Sequence, residues 1–344
     1  MLLGVLEKEE LCVRVDSFYH RALGGFYYGY YPGPSSFQYV HCEITGYFLS
    51  MTSRLACNDS GWRVWADAAA AFLMEHQTSE GAFPHSVGEV PARSHEWHTF
   101  DAGIAAVGLL DYARYCGSPR ARKAAEKALD WMQGAWLADG GFHATWDSVG
   151  CRWLDAERKG YWSGSGGSYH GKMLIPFIRA GREVMAGNIA SWLLSLQELD
   201  GGFRASGNLD RFHSHGCCYA LEGLCILGLE AGSEAALRAL PLGLEHLAKL
   251  AVDYEGIPTW IPGELNFRAD AQIQFLRLVR IAGLESRYGN AVEASKRRLT
   301  ELRYPQLGWL KETPGQEAPM VPSWTLVFEE SLSRSSEGDA SWLI

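Results

Sequence analysis

The stretch Trp192–Phe203, "WLLSLQELDGGF", returns as "WMQGAWLADGGF" at Trp131–Phe142 and as "FLMEHQTSEGAF" at Phe72–Phe83. The closing phenylalanines are 59 and 61 residues apart. Weaker echoes are "YEGIPTW", ending at Trp260, and "YPQLGW", ending at Trp309. Each copy is an apolar helical run, a polar residue or two, a glycine turn and an aromatic. Glycine supplies the positive φ that ends a helix, and the aromatic is placed to plug the gap between neighbouring helices. A period in this range means a repeat architecture.

A second helix fits between successive turns, and its start is also repeated. Such starts lie near His41 ("VHCEITGYFL"), His98 ("HTFDAGIAAVGLL"), Tyr169 ("SYHGKMLIPF"), His213 ("HSHGCCYALEGL"), Arg268 ("RADAQIQFLRL") and Pro322 ("PSWTLVFEESL"). These runs are apolar nearly all round, as buried helices are, whereas "RARKAAEKALDWMQ" and "SEAALRALPLGLEHLAKLA" carry charge on one face and belong outside. Six such pairs close into an all-α (α/α)6 toroid of about twelve helices, a single domain over residues 1–344 with negligible sheet.

Composition narrows the function. The chain has 344 residues, 47% of them hydrophobic, and a formal net charge of −9 with no basic run. That argues against nucleic acid as a partner. No apolar stretch is long enough to span a membrane, and the N-terminus carries Glu and Lys where a signal peptide needs an apolar run; a cytoplasmic location is expected. The eight cysteines lack C-x-x-C spacing and are expected to be reduced and mostly buried. Oligomeric state is not legible.

A closed ring brings six helix N-termini to one rim around one cavity, and their dipoles favour anionic groups there. The polar residues at those starts are therefore the candidate site. The expected catalytic groups are Glu43, Asp101, His170, His213 and His215. Glu43 opens a buried helix with no adjacent cation, so burial would raise its pKa. His98 and Asp101 are three apart, a spacing that lets them meet on one helix face. The expected substrate-binding groups are His41, Trp97, His98, Tyr169, Lys172, Arg268, Asp270, Gln272 and Trp324, with His95 just outside. Gly164, Gly166 and Gly167 form a loop over the same rim without the order of a phosphate loop. Each residue also has a plain structural alternative: capping a helix end or filling the core.

The "Q…DGGF" turns at Gln133–Phe142 and Gln197–Phe203 resemble the repeats of the squalene-cyclase and protein-prenyltransferase superfamily, as a periodicity over residues 37–330. The same toroid serves glycoside hydrolases, polysaccharide lyases and sugar epimerases. "HCEITGYFL" and "HSHGCCYALEGL" resemble segments of uncharacterised bacterial toroids associated with surface-polysaccharide genes. The chain departs from two of these groups. It has no D-x-D-D acid: Asp210 and Asp270 stand alone, and Asp155 is followed by "AERKG". "FHSHGCCYALEGL" resembles the zinc-histidine helix start of prenyltransferase β subunits, but "GGSYHGKM" lacks the Asp-x-Cys that the resemblance calls for. No metal and no cofactor are therefore expected.

Titratable groups at most inner starts exceed what packing needs. The expected function is a carbohydrate-active acid/base enzyme of hydrolase, lyase or epimerase type, taking a small molecule or oligosaccharide. The alternatives are an isoprenoid cyclase or prenyltransferase-like enzyme and a non-catalytic glycan-binding scaffold.

Overall fold

A computed structural model describes residues 6–88, 95–154, 163–206, 209–263, 265–305, 307–312 and 319–344. Among them are twelve α-helices, and the fold is an all-α (α/α)6 toroid. The helices are α1 (Lys8–Phe18), α2 (Cys42–Ala56), α3 (Arg63–His76), α4 (Thr99–Cys116), α5 (Pro119–Gly134), α6 (Leu174–Arg179), α7 (Glu183–Ser195), α8 (Ser214–Leu229), α9 (Glu234–Asp253), α10 (Ala269–Ile281), α11 (Gly289–Glu301) and α12 (Trp324–Arg334). A 3-10 segment, Ser168–Met173, leads into α6.

The inner ring runs α2, α4, α6 with its 3-10 segment, α8, α10, α12 and back to α2. These helices are buried all round: α4 from Thr99 to Tyr112 and α8 from Ser214 to Gly228. Outer helices bury one stripe, as α5 does with Ala121, Ala125, Ala128, Leu129 and Met132, the spacing of a single helix face. The sixth pair joins distant parts of the chain. Helix α1 supplies the outer partner of α12 through a buried ion pair, Arg14 Nη2 to Glu329 Oε2 at 2.7 Å, and Phe18 packs on Phe48 of α2.

Small residues let the inner helices approach. A Cβ added at Gly108 would lie 2.5 Å from the Gly46 carbonyl oxygen, and one at Gly223 would lie 2.1 Å from that of Gly171. The repeated glutamine is a staple between neighbouring hairpins. Gln197 Nε2 donates to the carbonyls of Gly201 (3.0 Å) and Ala239 (2.9 Å), and Gln77 Nε2 to those of Gly81 (3.1 Å) and Ala124 (2.8 Å). In the second repeat this place belongs to Trp136, bridged to Phe142 as Gln197 is to Phe203. Gln133 lies a turn too early for it.

Two expectations are corrected here. The buried residue after the fourth turn is Ile257, next to Gly256 at φ +139°, and Trp260 instead sits in a strand opposite His213. The rim also carries five small antiparallel sheets of two or three short strands. Four inner helices start from such a strand: Val40–His41 pairs with Ser86–Val87, Glu96–His98 with Thr145–Asp147, Leu209–His213 with Trp260–Ile261, and Val321–Pro322 with Gly29–Tyr31. Strands this short leave no readable alternation in sequence.

Of the free cysteines, Cys42, Cys217, Cys218 and Cys225 are buried, Cys12 and Cys116 half-buried, and Cys57 and Cys151 exposed. No helix among the described residues is long and apolar enough to cross a membrane.

The turn analysis generates a stability prediction. Gln197→Ala removes two bonds to backbone carbonyls and should destabilise the fold by about 1–3 kcal/mol. Gly201→Ala should cost more, because φ is +88° and the new Cβ would lie 2.2 Å from the Leu242 oxygen. Leu199→Ala, at a fully exposed position, should leave stability within about 0.5 kcal/mol of the parent. Chemical denaturation measures all three; equal stability of the parent and the Gln197 variant would refute the staple.

Candidate active site

The first turns of the inner helices surround a cavity of about 210 Å³. Tyr219 of α8 lines it, and the Tyr219 hydroxyl lies 3.1 Å from that of Tyr47 of α2. Helices α2 and α8 are three places apart in a ring of six, so this bond crosses the barrel axis. Glu43 and His215 each lie four residues before one of these tyrosines. They therefore sit one turn nearer the rim on opposite helices, and both line the cavity.

Beneath the tyrosines the axis is filled. Lys172 Nζ lies 2.8 Å from Glu222 Oε2 and 4.8, 4.5 and 5.0 Å from the ring centres of Tyr47, Tyr219 and Phe328. Glu222 also pairs with Arg277, and all three side chains are fully buried. Burial lowers the Lys172 pKa to about 8, against the pull of Glu222. This lysine, expected in the cavity, is part of its foundation.

The same carboxylate fixes a proton above it. Glu222 can only accept, so the Gln274 amide faces it through Nε2 at 2.9 Å. The Gln274 carbonyl is then turned to His215 Nδ1 at 2.7 Å. His215 therefore carries its proton on Nδ1 and its lone pair on Nε2. Burial lowers its pKa to about 4; Asp270 opposes that shift and Arg268 adds to it. At neutral pH the His215 imidazole is uncharged. Glu43 has the opposite environment: burial first, then the neighbouring Asp101 charge, push its carboxyl well above the usual range, with Lys172 pulling back.

One flank is a cluster on α2, α4 and the rim. His85 Nδ1 lies 3.0 Å from Asp101 Oδ2 and 3.0 Å from His41 Nε2. The imidazole paired with Asp101 is thus His85, not His98. His98 stacks on His85 at 4.6 Å and turns its Nε2 to Glu96 at 3.4 Å. Burial works against charge on Asp101, but the rings of His98, His41 and His85 outweigh it and hold the carboxyl below the usual carboxylate range.

The other flank holds a fixed cation. Arg268 forks onto Asp270, Nε to Oδ1 at 2.9 Å and Nη2 to Oδ2 at 2.5 Å, and Trp324 Nε1 donates to Oδ2 at 3.0 Å. Asp270 is fully buried and serves to aim Arg268 and Trp324, both of which line the cavity. Tyr169, also on the wall, is tied through its hydroxyl to the Ser163 carbonyl at 3.1 Å.

Several expected residues do not form the wall. His170 is fully buried among aromatics, its Nε2 3.0 Å from Thr99 Oγ1. His213 caps α8 by accepting from Gly216 N–H at 3.2 Å and packs on Trp260. Cys218 turns to the Ala271 carbonyl, so the two histidines and two cysteines of that stretch do not converge. Gln272 clips onto the Ile257 backbone through both amide ends, at 3.0 and 2.7 Å. Strand alternation turns Trp97 away from the His98 side and toward Trp131 of α5. His41 stands behind the wall in the imidazole cluster. Gly164, Gly166 and Gly167 precede the third inner start, and the cavity takes Ser163 from that segment.

Four wall residues share a signal that the sequence reading missed. Tyr28, His85, Ala144 and Lys311 each lie two residues past the buried aromatic of a glycine turn, namely Phe26, Phe83, Phe142 and Trp309. Leaving the turn, the chain crosses the rim and turns its second residue inward. "LGGFYY", with Phe26, is a further copy of the repeat.

Comparisons bear on the fold. No protein-family model matches the chain, and no curated protein matches it in sequence. Among solved structures it is similar to a sugar epimerase from a ruminal bacterium, with TM-score 0.74 and 15% identity over 96% of this chain and 97% of that one. A cellobiose 2-epimerase from Bacillus thermoamylovorans gives TM-score 0.74 and 12% identity over 95% and 98%. A type II terpene cyclase from Scytonema gives TM-score 0.60 and 14% identity over 88% and 81%. At such identities the likeness establishes the (α/α)6 toroid, and the function has to be argued from the site.

Proposed function

We propose that the chain is a sugar epimerase or isomerase that moves a proton at the carbon beside the carbonyl of a reducing sugar, with Glu43 and His215 as the two proton carriers. One observation carries this reading. Two titratable side chains on opposite inner helices, Glu43 and His215, line one cavity, each a turn above one of the two hydrogen-bonded tyrosines. A sugar held between them can lose the proton on one face, giving a planar enediolate, and regain one on the other.

The step balances within these groups. Neutral His215 takes the proton through Nε2, and the C–H electron pair forms the enediol double bond as the carbonyl oxygen takes up negative charge. Arg268, on the same wall, offsets that charge. Protonation by Glu43 at the same carbon re-forms the carbonyl and gives the epimer; protonation at the former carbonyl carbon, with the proton of the neighbouring hydroxyl passing to the charged oxygen, gives the ketose or aldose isomer. A sugar as substrate is supported by the likeness in fold to a cellobiose 2-epimerase and a D-mannose isomerase. A cavity of about 210 Å³ is smaller than pockets for drug-sized ligands, about 300–1,000 Å³, and suits one sugar ring at the end of a chain. Glycoside hydrolysis calls for two carboxyl groups flanking the bond; Asp101 is engaged by His85 and leaves Glu43 alone. A carbocation cavity is aromatic with a lone acid, whereas this wall also holds His85, His98, His215, Arg268 and Lys311.

The test is interconversion of reducing sugars, beginning with cellobiose, glucose and mannose. Glu43→Gln and His215→Gln should each lower turnover about 10²- to 10⁴-fold with the melting temperature little changed. Near-native turnover in both, or losses that follow stability, would sink the assignment.

The pH profile tests His215 separately. Its neutral form is the base, and that form persists until pH falls through about 4. The acid limb of kcat/KM should therefore lie well below the ordinary histidine value of about 6.5. NMR of labelled imidazoles should show His215 as the neutral Nδ1–H tautomer at pH 6; an imidazolium, or an acid limb near 6.5, would contradict this.

A further inference from the structure

Outside the Glu43–His215 pair, two wall residues and one side chain behind them hold three donor atoms with too few protons to go round. His41 Nε2, His85 Nδ1 and Asp101 Oδ2 lie 3.0, 3.0 and 3.7 Å apart pairwise. The proton count can be followed through. If His85 Nδ1–H donates to Asp101, His41 must turn a lone pair toward His85, which puts its proton on Nδ1. That nitrogen is fully buried and has no hydrogen-bond partner among the described residues; Glu43 Oε2 is 3.8 Å away. If His41 Nε2–H donates to His85 instead, the His85 lone pair faces a carboxylate oxygen at 3.0 Å. Either arrangement leaves a buried polar group poorly satisfied, which costs free energy.

We propose that His41, His85 and Asp101 bind a divalent transition-metal ion, with zinc as the first expectation. A cation satisfies all three lone pairs together. Two imidazoles and a carboxylate, with a further position for water or substrate, are the donor set of catalytic zinc. The three separations bracket the about 3.3 Å between donors of a tetrahedral ion bound at about 2.0–2.1 Å. One outer partner is also in place: His85 Nε2 lies 3.3 Å from the Tyr39 hydroxyl. Such a partner fixes the tautomer of a metal-bound histidine. His85, Asp101, Tyr39 and Glu43 line the cavity, so the open position faces any bound ligand. No Lys or Arg forms an ion pair with Asp101 among the described residues. The ion would hold a carbonyl or hydroxyl oxygen of the ligand as a Lewis acid.

The same donor set also suits iron(II) as a two-histidine, one-carboxylate facial site, and the experiment separates the two. It needs no substrate, so its outcome is independent of the proton-transfer reading. The full chain is stripped with EDTA, reloaded with excess zinc chloride or, anaerobically, with ferrous sulfate, desalted, and its metal content measured. The parent should retain about one zinc per chain. His85→Gln and Asp101→Asn should each retain less than a tenth of that, while circular dichroism and melting temperature show them folded. Cobalt(II) loaded in place of zinc should give the visible absorption of a tetrahedral site, and the His85 variant should lack it. Retention of iron(II) without zinc keeps the site and changes its metal. Failure of the parent to retain either ion, or equal retention by the parent and both variants, overturns the proposal. His215→Gln, across the cavity, should bind zinc like the parent; loss of metal there would also count against this ligand set.

Discussion

Everything above the barrel floor depends on one buried carboxylate. Glu222 lies on the axis of a ring of apolar helices, where an isolated charge would be severely penalised. Lys172 and Arg277 pair with it, Tyr47, Tyr219 and Phe328 surround the lysine, and the Gln274 amide takes up another lone-pair direction. The cluster fills the lower barrel, so the cavity is shallow rather than a channel. Through Gln274 it also decides which nitrogen of His215 carries the proton. The interaction that plugs the fold thereby prepares the proposed base.

A second constraint acts at the rim. Six inner helices begin there with unsatisfied N–H groups, and the polar residues gathered there divide between satisfying them and facing the cavity. His213, Gln272 and His170 are spent on a cap, a backbone clip and a Thr99 hydrogen bond. Glu43, Asp101 and His215 stand on the first turn, where the dipole favours negative charge and the side chain reaches the central space. The short strand pairs before four of the helices set how far each start projects.

Most of the architecture was legible because it is periodic. Glycine turns with an aromatic after them and small-residue helix starts recur along the chain, and the toroid follows from their number. The wall was legible where it lies on the inner helices: Glu43, His98, Asp101, Tyr169, His215, Arg268 and Trp324. Which histidine of a start would face inward was not, since His213 and His215 differ only by a strand-to-helix change falling between them. Lys172 looked like a rim residue because it follows His170 closely, but the 3-10 segment carries it down to the axis. Tyr28, His85, Ala144 and Lys311 reach the cavity from return segments whose strands are too short to show a period. Their common place past the buried aromatic becomes visible once Phe26 is counted among the repeats.

The central claim is that two different groups carry the proton across a sugar carbon. The most direct measurement is solvent hydrogen incorporation, with the reaction run in D2O and the product read by NMR. A base on one helix and an acid on the opposite one, the latter exchanged with solvent, must leave one deuterium on the carbon beside the carbonyl in each epimerised molecule. The account predicts that label in the parent product and its loss with His215→Gln. A product formed at the parent rate without deuterium at that carbon would contradict it.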